Sequence, residues 1–141
     1  MFDGPPKLNG LLETLVFVED VSRSATFYEK VLGLKKVRGD ENGYAFVVAP
    51  EQLLLMVKHG STAEPRPTPG GIVPPCGATG SMHLAFSTSE SALNKWRHWL
   101  KDQRVEVLSE VVWPRGGRSL YFRDPDSHLI ELATPGVWEV Y

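Results

Sequence analysis

The stretch SLYFRDPDSHLIELATP, residues 119–135, decides how this chain is read. Two apolar runs flank DPDS, the pattern of a β-hairpin closed by Asp and Pro turn chemistry. The second run places Glu131 between Ile130 and Leu132. An ionised carboxylate inside such a strand needs a partner, because burying an unpaired charge is costly.

Working outward from the hairpin, the same order of elements occurs twice. LLETLVFVED alternates and is rich in β-branched residues, which predicts a strand. Asp20 or Ser22 can cap a helix running to about Leu32, with Ala25, Tyr28, Val31 and Leu32 on its apolar face and Gly33 at its stop. LKKVRG, YAFVVA and QLLLMVK follow as strands. In the second half MHLAFST is a strand, and Ser89 caps a helix whose Leu93, Trp96 and Leu100 share one face. VEVLSEV, SLYFR and LIELA complete the set. Each half is β-α-β-β-β, so the class is α+β with two tandem modules. Modules of this kind pack about a pseudo-twofold axis with a shared cleft.

The expected divisions are an N-terminal arm over 1–10, a first module over 11–58, a linker or lid over 59–81, a second module over 82–134 and a C-terminal tail over 135–141. The linker holds five prolines and five glycines and has no periodicity. Its length favours a functional role, and residues 74–78 are expected to wall a cavity.

Composition narrows the functional classes. The chain has 141 residues, 42% of them hydrophobic and 23% charged, which suits a soluble globular fold. A net charge of -2 gives no electrostatic case for a nucleic-acid or anionic-membrane partner. No apolar run approaches the roughly 20 residues of a membrane span. Cys76 is the one cysteine, so no internal disulfide forms, and cytoplasmic residence is the default expectation.

Strand parity collects the candidate site. Residues two apart share a face of a strand. Glu13, Leu15 and Phe17 share one face of the first strand, and His83, Ala85 and Ser87 share the matching face of its counterpart. Glu131 lies on a face with Leu129 and Ala133, opposite Ile130 and Leu132. Glu13, His83 and Glu131 are therefore the candidate ligands of one divalent cation, which would offset two carboxylates beside a neutral imidazole. The competing reading makes Glu13 a solvated strand end, His83 a hydrogen-bonded core histidine and Glu131 the partner of an arginine.

The run VEDVSRSATFYEKVLGL, the MHLAFS strand and above all SLYFRDPDSHLIEL resemble the vicinal oxygen chelate superfamily, the glyoxalase/bleomycin resistance/dioxygenase proteins, over about residues 11–138. The resemblance implies eight strands curled into an open-barrel cavity with the helices outside. It implies one divalent metal ion (Fe, Mn, Zn, Ni or Co) held from the first, fourth, fifth and eighth strands. Those positions fall on Glu13, Leu55, His83 and Glu131. Leu55 cannot bind a metal, which counts against glyoxalase I activity. Glu13 stands where dioxygenases and fosfomycin transferases carry a histidine.

The resemblance further implies a small-molecule substrate that chelates the metal through adjacent oxygens, and a lyase, dioxygenase or transferase reaction. It also implies a homodimer. The alternative function is a metal-free binding or resistance protein that sequesters an aromatic or antibiotic-like ligand. Tyr121, ten residues before Glu131, is the candidate catalytic acid or hydrogen-bond donor. Phe17, Trp113, Arg118, Ser119 and Cys76 are the candidate substrate-binding residues, although Arg118 could instead pair with Glu131 or Glu110.

Overall fold

The computed structural model describes residues 4–141, and residues 1–3 of the expected arm lie outside the described residues. The first module contains β1 (Glu13–Val18), α1 (Val21–Lys30), β2 (Lys35–Asp40), β3 (Gly43–Ala49) and β4 (Gln52–Lys58). The second contains β7 (His83–Ser87), α2 (Glu90–Asp102), β8 (Ser109–Val112), β9 (Arg118–Arg123) and β10 (Leu129–Ala133). The β-α-β-β-β order holds in both. Asp20 caps α1 by accepting the Arg23 N–H, and Ser89 caps α2 by accepting the Ala92 N–H.

Each module forms its own four-stranded sheet, in the orders β1-β4-β3-β2 and β7-β10-β9-β8. The first strand of each lies parallel to the last. The expected eight-stranded open barrel does not form: the two sheets are not closed into one. A cleft of about 400 Å³ separates their edges, lined by Thr14 and Leu53 on one side and by Leu84, Ala85 and Phe86 on the other. Side chains meet across that gap where a barrel would need backbone hydrogen bonds.

The linker also departs from expectation, because it carries a short hairpin, β5 (Arg66–Thr68) with β6 (Gly71–Val73). The Thr68 hydroxyl donates to the Gly71 carbonyl across its turn. Gly71 adopts φ +152°, a conformation open to glycine but strained for other residues.

Alternation places one face of every central strand against the helices. Val16, Val18, Phe46, Leu54 and Met56 pack with Ala25 and Tyr28 of α1. Leu120, Phe122, Ile130 and Leu132 pack with Leu93 and Leu100 of α2. Fully burying side chains of this size contributes roughly 1.5–3 kcal/mol each. Leu84 and Phe86 touch both clusters, so the two cores are continuous.

Polar contacts from the DPD turn lock the modules together. Asp124 Oδ2 accepts the Tyr28 hydroxyl at 2.7 Å, and its Oδ1 accepts the backbone N–H groups of Asp126 and His128. Asp126 accepts the Ser24 hydroxyl at 2.6 Å and the Glu19 N–H at 2.9 Å. The buried His128 donates from Nε2 to the Phe17 carbonyl at 2.7 Å and accepts the Met82 N–H at Nδ1. Two motifs more than ninety positions apart are thus physical partners: the α1 run carrying Ser24 and Tyr28, and the turn carrying Asp124 and Asp126.

Candidate metal centre

Glu131 sits at the middle of β10, opposite Ala85 of β7 and Tyr121 of β9. The central strand of a sheet buries its side chains from both neighbours, and Glu131 is only 7% exposed. Its Oε2 accepts the hydroxyl of the fully buried Ser119 at 2.6 Å. Its Oε1 faces His83 Nε2 at 3.2 Å.

The other imidazole nitrogen fixes the chemistry of that contact. His83 Nδ1 lies 2.9 Å from the Leu129 carbonyl. A carbonyl can only accept, so Nδ1 carries the hydrogen. In a neutral imidazole Nε2 then presents a lone pair toward a carboxylate oxygen. Two acceptors at that distance repel unless a proton or a cation lies between them. A proton, giving a His83–Glu131 ion pair, or a cation satisfies this contact, and a nitrogen beside an oxygen is a donor pair that divalent first-row metals accept.

Tyr121 flanks the pair. Its ring stacks on His83 with 6.3 Å between centroids and an interplanar angle of 29°. Burial and then the Glu131 negative charge push its phenol above the usual range, so it keeps its proton at neutral pH. Ser119 lies on the same face of β9 and receives the Trp113 indole N–H at 2.9 Å.

The structure brings together His83, Glu131, Tyr121, Ser119 and Trp113, but it does not bring Glu13 to them. Among the described residues no three His, Cys, Asp or Glu side chains cluster to hold a metal ion. The strands explain why. The Phe17 end of β1 rests on His128, one residue before the Leu129 that pairs with His83. Glu13 lies four residues back along extended chain, about 13 Å from Phe17.

Arg118 also falls elsewhere. It shares the helix-side face of β9 with Leu120, and its guanidinium donates to Glu110 at 2.5 Å, beside the Arg97–Glu110 pair from α2. Those two arginines, the Arg97 hydrogen bond first, hold the Glu110 carboxyl below its usual range. Cys76 is exposed in the linker, tied to Thr62 by two hydrogen bonds. With Phe17, His59 and residues 75–79 it lines a separate cleft of about 530 Å³. Leu55 is half-buried in β4 opposite Leu15.

Residues 10–132 match the family model described as Glyoxalase/Bleomycin resistance protein/Dioxygenase superfamily. The chain belongs to that superfamily. Within it, the chain is 32% identical over 119 residues to the metallothiol transferase FosB of Staphylococcus saprophyticus, covering 83% of this chain and 71% of that protein. It is 30% identical over 123 residues to a virulence protein of Salmonella typhimurium, covering 82% and 77%. A solved lactoylglutathione lyase from Agrobacterium tumefaciens superposes with a TM-score of 0.83 at 25% identity, covering 96% of this chain and 99% of that one.

Two relationships among these side chains were not read from the sequence. Parity along SLYFR already puts Arg118 with Leu120 and Phe122, away from Ser119 and Tyr121. The link from Trp113 through Ser119 to Glu131 was not visible, because Trp113 lies in a turn where strand alternation gives no direction.

Proposed function

We propose that this superfamily member is a divalent-metal-dependent enzyme with His83 and Glu131 as the metal-binding pair, acting on a small molecule that offers two adjacent oxygens. The observation that carries this reading is the 3.2 Å approach of His83 Nε2 to Glu131 Oε1, both held by hydrogen bonds on their far sides. A bound metal would supply Lewis acidity toward a substrate oxygen. Tyr121 keeps a phenolic proton beside the pair, ready to donate a hydrogen bond or a proton to a substrate oxygen. Its ring and the Trp113 indole form an aromatic wall for the rest of the ligand. Transferase chemistry is the favoured reaction class, because a relative at 32% identity is a metallothiol transferase.

A homodimer fits the same reading. Glu13 is exposed at the end of β1, on the face that matches His83, and a second copy can bring it to the pair that its own chain cannot reach. No helix among the described residues is long and apolar enough to cross a membrane. A single exposed thiol accords with a reducing, cytoplasmic setting.

Elemental analysis of protein purified without chelators tests the proposal, followed by calorimetric titration with Mn, Fe, Co, Ni and Zn. One metal per chain in the wild type, with most affinity lost in His83→Ala, is expected. Equal affinity in the two proteins would sink it. The second reading, a metal-free binding protein, is favoured by the Phe17–His59–Cys76 cleft, whose volume suits a small ligand and whose lining holds no carboxylate. Absence of metal in the wild type would favour it.

A further inference from the structure

We propose that Trp113 is a positioning residue for the metal-binding carboxylate, acting through Ser119 to leave one defined oxygen of Glu131 free toward His83.

The direction of the chain of hydrogen bonds follows from chemistry alone. An indole Nε1–H can only donate, and an ionised carboxylate can only accept. Ser119 has a single hydroxyl hydrogen. It goes to Glu131 Oε2 at 2.6 Å, so the lone pair of the same oxygen takes the Trp113 N–H at 2.9 Å. Ser119 is fully buried and Glu131 nearly so, which leaves no water to compete and strengthens each bond in the chain. With Oε2 occupied, Oε1 is the oxygen turned to His83. His83 is held in the same manner from its far side by the Leu129 carbonyl. Both donors of the pair are therefore oriented before anything binds.

The placement of Trp113 is itself built in. The Trp113 N–H donates to the Gly117 carbonyl at 2.7 Å, and the Gly116 N–H donates to the Trp113 carbonyl at 2.8 Å, closing the β8–β9 turn. Gly117 is pressed against the C-terminal tail. A Cβ there would lie 2.2 Å from Val137 N and 2.3 Å from the Gly136 carbonyl carbon. Gly116 adopts φ +89°, a left-handed conformation that favours glycine. The run WPRGG thus sets the indole at a fixed height above Ser119.

The role rests on the metal reading above, so the experiment separates the two. Trp113→Phe keeps an aromatic ring but removes the indole N–H along with the pyrrole part of the ring, and Ser119→Ala breaks the chain at its centre. Titration with Co(II) should show Ser119→Ala binding about tenfold or more weakly, the size expected when an outer partner of a ligand is removed. Trp113→Phe should lose a smaller factor and show an altered visible cobalt spectrum. The double variant should bind no more weakly than Ser119→Ala, because the indole acts only through that hydroxyl. Wild-type affinity and spectrum in Trp113→Phe would overturn the proposal, as would losses that simply multiply in the double variant.

If the wild type binds no metal, the proposed function fails and the chain of hydrogen bonds is still read directly. The Trp113 indole N–H resonance, assigned by its absence in Trp113→Phe, should move on Glu131→Gln in metal-free protein. An unmoved resonance would overturn the positioning role independently of any metal.

Discussion

Tyr28 donates its hydroxyl to Asp124 Oδ2 at 2.7 Å across 96 positions of sequence, from the last turn of the first module's helix to the β9–β10 turn of the second. Burial, and then the Asp124 charge, push the Tyr28 phenol far above its ordinary range. Folded Tyr28 keeps its proton at a pH where the unfolded chain, with a tyrosine pKa near ~10, has lost it. Stability from this contact is therefore complete below about pH 10 and falls as pH rises beyond it. Tyr28→Phe should cost about 1–3 kcal/mol at neutral pH, because Asp124 loses a buried donor. The gap between wild type and variant should narrow above about pH 10. Urea unfolding of both proteins across that range checks the size and the sign.

Glyoxalase I activity is expected to be absent. The superposition on a lactoylglutathione lyase makes this a strict test, since the fold is shared. The fourth-strand position holds Leu55, a side chain without a donor atom. The hemithioacetal of methylglyoxal and glutathione, assayed with Ni(II) or Zn(II), should give turnover far below a kcat/KM of about 10⁴ M⁻¹s⁻¹. A value at or above that level would remove the argument from Leu55.

Light scattering at micromolar concentration should report about twice the chain mass. Glu13→Gln should then weaken metal binding while leaving the dimer intact, because the side chain is exposed at a strand end and supports no core contact. A monomer that binds metal as tightly as wild type would show that a second copy contributes nothing.

Ligand binding is expected to slow hydrogen exchange over Ile72 to Gly80. Residues 75–79 face Phe17 across the linker cleft, and Phe17 lies on the same strand face as Glu13. Ser81 at the end of the segment donates to the Ser127 carbonyl, next to the start of β10. Unchanged protection at saturation would leave the segment a connector and discard the lid.

The parts of the fold that were legible in the sequence are those set by local rules. Caps at Asp20 and Ser89 and alternation through QLLLMVK and LIELA gave helices and strands at the residues where they occur. The hairpin at Arg66–Val73 was hidden because Pro67 and the paired glycines suppress the strand signal that a three-residue ladder would leave. The barrel was overdrawn for a different reason. Whether β1 and β7 bond or leave a cleft depends on how two finished sheets dock, and no local pattern records that. The same limit separated Glu13 from His83. Equivalence within a duplicated pattern is a property of sequence, whereas proximity is set by the axis. Asp124 and Asp126 read as turn residues, which they are, but their bonds to Tyr28 and Ser24 close over most of the chain length.

The hairpin β5–β6 stands on an exposed loop between two complete strand–helix–strand units. The modules are held by Tyr28, Ser24, Glu19 and Phe17 on one side and by Asp124, Asp126 and His128 on the other, all outside that loop. Continuity of the backbone between them is thus a matter of local concentration more than of architecture. In its contacts the chain is built like a tethered pair of its own two halves. A break placed between Pro69 and Gly70 leaves every one of those contacts available for two separate polypeptides to find each other.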